Sequence, residues 1–432
     1  MNKKTLSLAL FFILASAFLL RLINVSTPKT YYFDEVYHAV TAKLYARNDP
    51  AGYEWWHQAP EPNTAIEWLH PPIAKLTQAV GIKVFGENSF GWRISSVIFG
   101  TGVIYLTYLL ALQLTKHQSI SLLAAFLASI DGLLLAQSRI AMNDIHITFF
   151  ILASLYTYLL WKDSKQKYML LLSGILAGVS ASTKWSGVFV IGIFFLDQLI
   201  TLARAWFQKK QRPAIKQVLI LPYVWLMVPI AIYLLSFAQF WLQGHTWNQF
   251  KELHNQIWQY QIHLKATHTY QSRPWEWVLD MRPVWYFVDY SKLDKGLISN
   301  IYALGNPVIF WGGCVAFLLL AWGAITQMKV MKEFVPIVPF LSISYLFIWI
   351  PWLFSPRIMF FYHYAPAVPL LSIMLAILIS LLRKTDKIGK LIGFGIIGAA
   401  TLWFIVFYPH LTGIPMPKEF VDKVYFAVPS WK

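Results

Sequence analysis

A lone cysteine, Cys314, is all the thiol chemistry that 432 residues offer. It excludes a disulfide framework within the chain and a cysteine zinc cluster, and its place in an apolar run says little about compartment. Charge is scarce as well, at 13% of residues, where a soluble globular domain carries about a quarter. Acid is scarcer than base, 20 residues against 36, for a formal charge of +16. The basic excess does not gather on one soluble face, as a nucleic-acid partner would require. Many cations fall in short gaps between apolar runs, where they read as topology signals and contacts to anionic membrane lipid. Also missing are a GxxxxGK[ST] phosphate loop, a GxGxxG turn, an HExxH zinc motif and a clear metal-ligand cluster. No sequence repeat or soluble domain is visible.

What is abundant is apolar sequence, 57% of the chain. It collects in runs of about 17 to 25 residues, long enough to cross about 30 Å of hydrocarbon. They fall near 5–25, 90–115, 119–136, 144–161, 168–183, 186–203, 217–242, 304–326, 334–354, 363–382 and 390–409. The expectation is an all-α integral membrane protein of about eleven transmembrane helices. The 20 tryptophans and 22 tyrosines suit helix ends at headgroup level. The N-terminus, MNKK followed by the apolar stretch from Thr5 to Leu20, resembles a signal peptide. It continues into Arg21 without an A-x-A-like cleavage site and reads as a retained first helix.

Two long segments, about 26–88 and 243–303, interrupt the runs, and 410–432 forms a tail. If every run spans, Lys3 and Lys4, Lys116, Lys162/Lys165/Lys167, Arg204/Lys209/Lys210/Arg212/Lys216, Lys329/Lys332 and Arg383/Lys384/Lys387/Lys390 share one side. The positive-inside rule makes that side the cytoplasm, with the N-terminus on it. Both long segments and the tail then face outward, and a plasma-membrane location is expected. The parity depends on the tight turn at Ser182, Thr183 and Lys184. The chain divides into a membrane module at 1–242, the second outer segment at 243–303, a four-helix membrane module at 304–409 and the tail. Both long segments mix tryptophan, proline and charge, as interfacial helices do.

Chemistry concentrates at the expected outer ends. Asp34 and Glu35 are adjacent acids between aromatic residues, costly to desolvate without a partner or a task. They read as a general base with a positioning neighbour, or as the cap of a short helix. His70 and Lys75 flank a Pro-Pro helix entry, where a lysine could meet phosphate or simply face solvent. Arg21, Arg93, Arg139, Lys184 and Arg357 sit at outer helix ends against the charge bias. Each could snorkel, or all could share an anionic ligand. Asp144 at a helix start suits the macrodipole, substrate contact or a pairing with Arg139. His363 and Tyr364 belong to an aromatic run that could equally be interface girdle. His254, His263 and His268 read as surface residues.

These motifs in this order resemble the protein O-mannosyltransferase family, membrane glycosyltransferases of the GT-C class. The matching elements are Phe33-Asp-Glu-Val, His70-Pro-Pro-Ile-Ala-Lys75, Trp92-Arg93, Ser138-Arg139 with Asp144 and Phe149-Phe150, and Lys184-Trp-Ser-Gly187. In the second half they are Ser272-Arg-Pro-Trp-Glu-Trp277, Arg282-Pro-Val-Trp-Tyr286, Gly305-Asn-Pro307, and Arg357 with Phe361 to Pro366. The lysine motif has Ile-Ala-Lys where the family usually has Leu-Gly-Lys. The resemblance implies a polyprenyl- or dolichyl-phosphate-mannose donor, Asp34 as catalytic base and Glu35 in the same site. It also implies that Arg21 and Arg93 hold the donor phosphate, with Lys75, Arg139 and Arg357 as further candidates. His70, Asp144, Lys184, His363 and Tyr364 complete the expected site. The expected reaction is an inverting transfer of mannose to Ser/Thr hydroxyls of secreted or membrane proteins, without metal or other cofactor. The second segment is too short for the MIR domain of eukaryotic members. The chain thus resembles a compact bacterial form, whose acceptor choice rests on its membrane domain or on a partner such as the secretion machinery. The rival expectations are a lipid-phosphate-dependent GT-C enzyme acting on a glycolipid, and a secondary transporter, which would show internal symmetry and midplane charges.

Overall fold

The computed structural model describes residues 3–207 and 220–432. The expected basic connection at Lys209, Lys210, Arg212 and Lys216 and the start of the 217–242 run lie outside the described residues. Every other apolar run appears as helix. Among the described residues, seven helices are long and apolar enough to cross a membrane, among them α1 (Lys3–Leu22), after two short helices α4 (Ser89–Thr115), and α7 (Asp144–Ser164). The intervening α2 (Glu35–Arg47) and α3 (Ile73–Phe85) lie in the first long segment. Among the described residues, four shorter apolar helices fall in the remaining runs: Gln118–Ser129, Lys167–Ala181, Ile220–Ser236 and Val338–Phe354.

The run expected at 119–136 is broken by one acid. Helix α5 (Gln118–Ser129) stops before Asp131, whose carboxylate accepts from the Leu134 N–H at 2.9 Å and starts α6 (Gly132–Gln137). Its other oxygen accepts from the Asn306 N–H at 3.0 Å, 175 positions away. A buried carboxylate needs such partners, so the break doubles as a tie between the two halves of the chain.

Four of the six basic connections read from the sequence lie together in space. At one end Lys116 pairs with Asp163 at 2.8 Å, and His117 and Lys384 both meet Glu333, bringing four short connections together. At the other end His245 meets Glu54 and Trp68 packs on Tyr260, so the two long segments are neighbours. The turn at Lys184 belongs to this second end, because Lys184 reaches the first residue of α7. The turn is tight because a glycine lets the chain close: a Cβ at Gly187 would stand 2.3 Å from the Ser180 carbonyl.

One feature departs from the wholly helical expectation. Val284, Trp285 and Phe287, apolar and β-favouring, form β1 (Val284–Asp289), which pairs antiparallel with β2 (Leu297–Ala303). A third strand, β3 (Met416–Pro417), adds the tail to the far edge of β2. The register slips between Trp285 and Phe287, and a bulge of this kind re-aims a side chain. Here the residue in the slip is Tyr286, which is buried against the first long segment, its ring 4.5 Å from that of Phe33.

Candidate active site

Three aromatic residues decide where the paired acids face. The Tyr31 hydroxyl donates to Glu61 and the Tyr32 hydroxyl to the Arg139 carbonyl, both at 2.9 Å. Phe33 follows with φ at 48°, a left-handed backbone that a bulky side chain adopts only when its surroundings hold it there. Its ring is held between Tyr286 and Tyr362. Asp34 and Glu35 then enter α2 about 100° apart around the helix axis. The Asp34 side chain makes no capping hydrogen bond, although its carbonyl accepts from the Tyr37 and His38 N–H groups at 3.0 Å. The residue as a whole is half-buried.

Glu35 turns inward and is fully buried. Arg93 grips it with two bonds, Nε at 2.8 Å and Nη2 at 2.7 Å, and the Ala141 N–H adds a third at 3.0 Å. The remaining Arg93 donors go to the carbonyls of Val25, Pro28 and Thr30. A guanidinium has five N–H donors, so this one has none left. Arg139 donates to the carbonyls of Arg21 and Ile23 at 2.6 Å, at the C-terminal end of α1, where a cation meets the negative end of the helix dipole. Arg21 binds Ser138 Oγ and the Ala17 carbonyl, and among the described residues its buried Nη2 has no partner. These three arginines were expected around a donor phosphate. The structure commits every Arg93 donor to the protein frame, and part of those of Arg21 and Arg139, and it separates Glu35 from Asp34.

A different set surrounds Asp34. Asp144 and Lys184 are the charges that act on it most strongly, followed by Glu67, and the Tyr362 hydroxyl favours its charged form. Burial raises the Asp34 carboxyl and Asp144 pushes it further, while Lys184 and the Tyr362 bond oppose the rise, leaving it at about 7. Asp144 pairs with Lys184 at 2.8 Å and not with Arg139, and this bond joins the start of α7 to the turn after α8 (Lys167–Ala181). Lys184 also lines a cavity of about 330 Å3 with His70, Trp185, Trp352, Arg357 and His363. Arg357 enters it held by Gln261.

Lys75 stands apart from the cavity. Its ammonium binds the Glu67 carboxylate and the carbonyls of Glu67 and His70, the latter two at 2.8 Å, which uses its three donors. Glu67 also takes His70 Nδ1 at 2.6 Å. Burial alone would raise Glu67, but Lys75 and His70 beside it bring it well below the usual carboxylate range. Burial lowers His70 from its ordinary value, so a neutral ring with Nδ1–H donating to Glu67 presents Nε2 as an acceptor.

Glu67 and Tyr362 were not among the expected site residues. Tyr362 stood inside a motif already quoted, whereas Glu67 lies in an irregular stretch with no pattern around it. Tyr364 belongs elsewhere: it is fully buried, bonded to the Tyr345 hydroxyl at 2.6 Å. His363 stacks on Trp277 and Tyr362 at the cavity wall. Of the histidines read as surface residues, His263 and His268 are exposed. His254 instead packs on Trp185 and meets the Tyr233 hydroxyl at 2.8 Å.

Residues 11–243 match the family model of the dolichyl-phosphate-mannose-protein mannosyltransferases, and residues 246–431 match that of the C-terminal four-TMM region of protein-O-mannosyltransferase. The polyprenol-phosphate-mannose–protein mannosyltransferase of Corynebacterium glutamicum is 26% identical over 437 residues, spanning 84% of this chain and 81% of that protein. That of Mycolicibacterium smegmatis is 23% identical, spanning 97% and 92%. Among solved structures, the S. cerevisiae protein O-mannosyltransferase Pmt1-Pmt2 complex bound to the sugar donor matches with a TM-score of 0.82 at 14% identity, over 100% of this chain and 93% of that one. ArnT from Cupriavidus metallidurans bound to undecaprenyl phosphate matches with a TM-score of 0.57 at 16% identity, over 91% and 64%. The fold is therefore of the GT-C type, in a multi-pass membrane protein.

Proposed function

The chain belongs to the dolichyl-phosphate-mannose-protein mannosyltransferase family of glycosyltransferases, and we propose that it moves mannose from a polyprenyl-phosphate donor to a Ser or Thr hydroxyl of a secreted or membrane protein. The observation that carries this reading is Asp34: an uncapped carboxylate on a half-buried residue, near neutral pKa and one charge away from a cationic cavity. A general base works best with a pKa close to the operating pH.

Asp34 takes the hydroxyl proton as the acceptor oxygen bonds to the anomeric carbon. The bond from that carbon to the phosphate oxygen breaks, and the lipid phosphate leaves with its electron pair. One carboxylate acts on one face of the sugar, so the displacement is direct and a β-linked mannose becomes α-linked. Lys184 and Arg357 meet the leaving charge, where fixed cations in a partly dry cavity act most strongly. No metal enters this scheme, because side chains supply the positive charge. Arg93, Arg139 and Arg21 contribute by holding the frame on which α2 and α7 place Asp34 and Asp144. The end rich in short basic connections takes the cytoplasmic side under the positive-inside rule. The reaction then runs at the extracytoplasmic face of the plasma membrane.

Purified Asp34→Asn with a mannosyl-phosphate lipid and a threonine peptide tests the base. We expect turnover to fall at least about 100-fold with folded protein retained. Turnover within a few-fold of the unaltered chain would falsify the assignment. A hexose added to lipid, with none on peptide, would favour a glycolipid acceptor.

A further inference from the structure

Arg357 stands between two cavities. One is the cationic cavity lined by Lys184, the cation that acts on Asp34. The other, of about 600 Å3, lies between residues 264–276 and 353–359, with Arg282 in its lining. Ser355, Pro356 and Arg357 wall both.

Four cations border this second cleft: Lys265, Arg273, Arg282 and Arg357. Among the described residues, none of the four pairs with a carboxylate. Glu276, the acid in the lining, already accepts from the Arg273 N–H at 2.6 Å. The Arg273 guanidinium lies over the Trp275 ring at 5.3 Å, and Lys265, Arg273 and Arg282 are exposed. The main chain is open too. Residues 264–268 are neither helix nor strand. Among the described residues, the N–H and C=O groups of Lys265, Ala266 and Thr267 have no intramolecular hydrogen bond.

Uncompensated cations beside unpaired main chain call for a partner that brings both negative charge and main-chain groups. A phospholipid headgroup would answer the cations and leave the main-chain groups to water. An extended polypeptide carrying Asp or Glu answers both. We infer that this cleft receives the acceptor polypeptide and selects stretches with acidic residues near the acceptor hydroxyl. The inference rests on the reading of Asp34 as base toward a protein hydroxyl, and it adds the chemical class of acceptor.

The test uses the full chain in neutral-lipid nanodiscs with two fluorescent threonine peptides, one flanked by Asp and Glu, the other by Asn and Gln. Binding and transfer are both measured at low salt. The acidic peptide is expected to bind and react about three- to tenfold better, the scale of a few exposed charge pairs. Arg273→Gln with Arg282→Gln is expected to erase that preference and leave the neutral peptide unchanged, which makes the neutral peptide the folding control. If the double variant loses the neutral peptide too, each single variant is expected to reduce the preference by part. Equal handling of both peptides by the unaltered chain overturns the inference. So does a preference that survives these variants, or one that appears only with added anionic phospholipid. Because peptide binding is read apart from transfer, a failed Asp34 assignment leaves the cleft measurable.

Discussion

Two clusters of the same residue types lie at the same end of the molecule, joined by the peptide bond between Asp34 and Glu35. In one, Arg93 has five donors and five protein acceptors, and its pair with Glu35 is sealed from solvent. In the other, Lys184 has one acceptor, Asp144, and shares a cavity wall with Arg357. The contrast is one of stoichiometry. A cation whose donors are all matched by protein acceptors builds a frame. A cation with donors to spare, facing a cavity, is equipped to hold an anion that arrives later.

The largest expected effect breaks the frame. Glu35→Gln leaves the Arg93 charge buried without its partner, at a cost of about 3–5 kcal/mol. Thermal unfolding in detergent should register it as loss of fold, whereas Asp34→Asn should unfold near the unaltered chain. Equal destabilisation of the two variants would erase the distinction between the clusters. The next effect concerns pH. A base must be unprotonated to act, so turnover should fall as pH drops through about 7, where the Asp34 carboxyl lies. Lys184 holds that value down, so Lys184→Gln should move the midpoint of the pH–rate profile upward. Asp144 pushes it up, so Asp144→Asn should move the midpoint downward. Shifts of the opposite sign would remove these two residues from the surroundings of the base. The smallest effect belongs to Tyr364. Tyr364→Phe loses one hydroxyl bond to Tyr345, about 1 kcal/mol of stability, and should leave peptide turnover and its pH profile unaltered.

The helices were legible because crossing hydrocarbon demands about 20 apolar residues at a time, and that demand writes itself into the sequence. Asp131 was not, since one acid in an apolar run looks like noise until Asn306 arrives from the other half of the chain. Asp34 and Glu35 were legible as a pair but not as opposites. Their directions follow from the anchoring of Tyr31, Tyr32 and Phe33 by residues 30 to 330 positions away. The lysine at 75 was visible as a cation, yet its three acceptors lie on a turn that only folding closes around it. The strands escaped notice because five aromatic and branched residues beside a membrane segment read as easily as interface.

The slipped register at Tyr286 also ties the start of the chain to its far end. Tyr286 presses on Phe33, β1 depends on β2, and β2 is flanked by residues 416–417. Phe33, next to Asp34, is thus braced through β1 and β2 by sequence almost four hundred positions further along the chain. A change at the pairing of β2 with Met416–Pro417 therefore bears on the packing around Phe33, beside the proposed base.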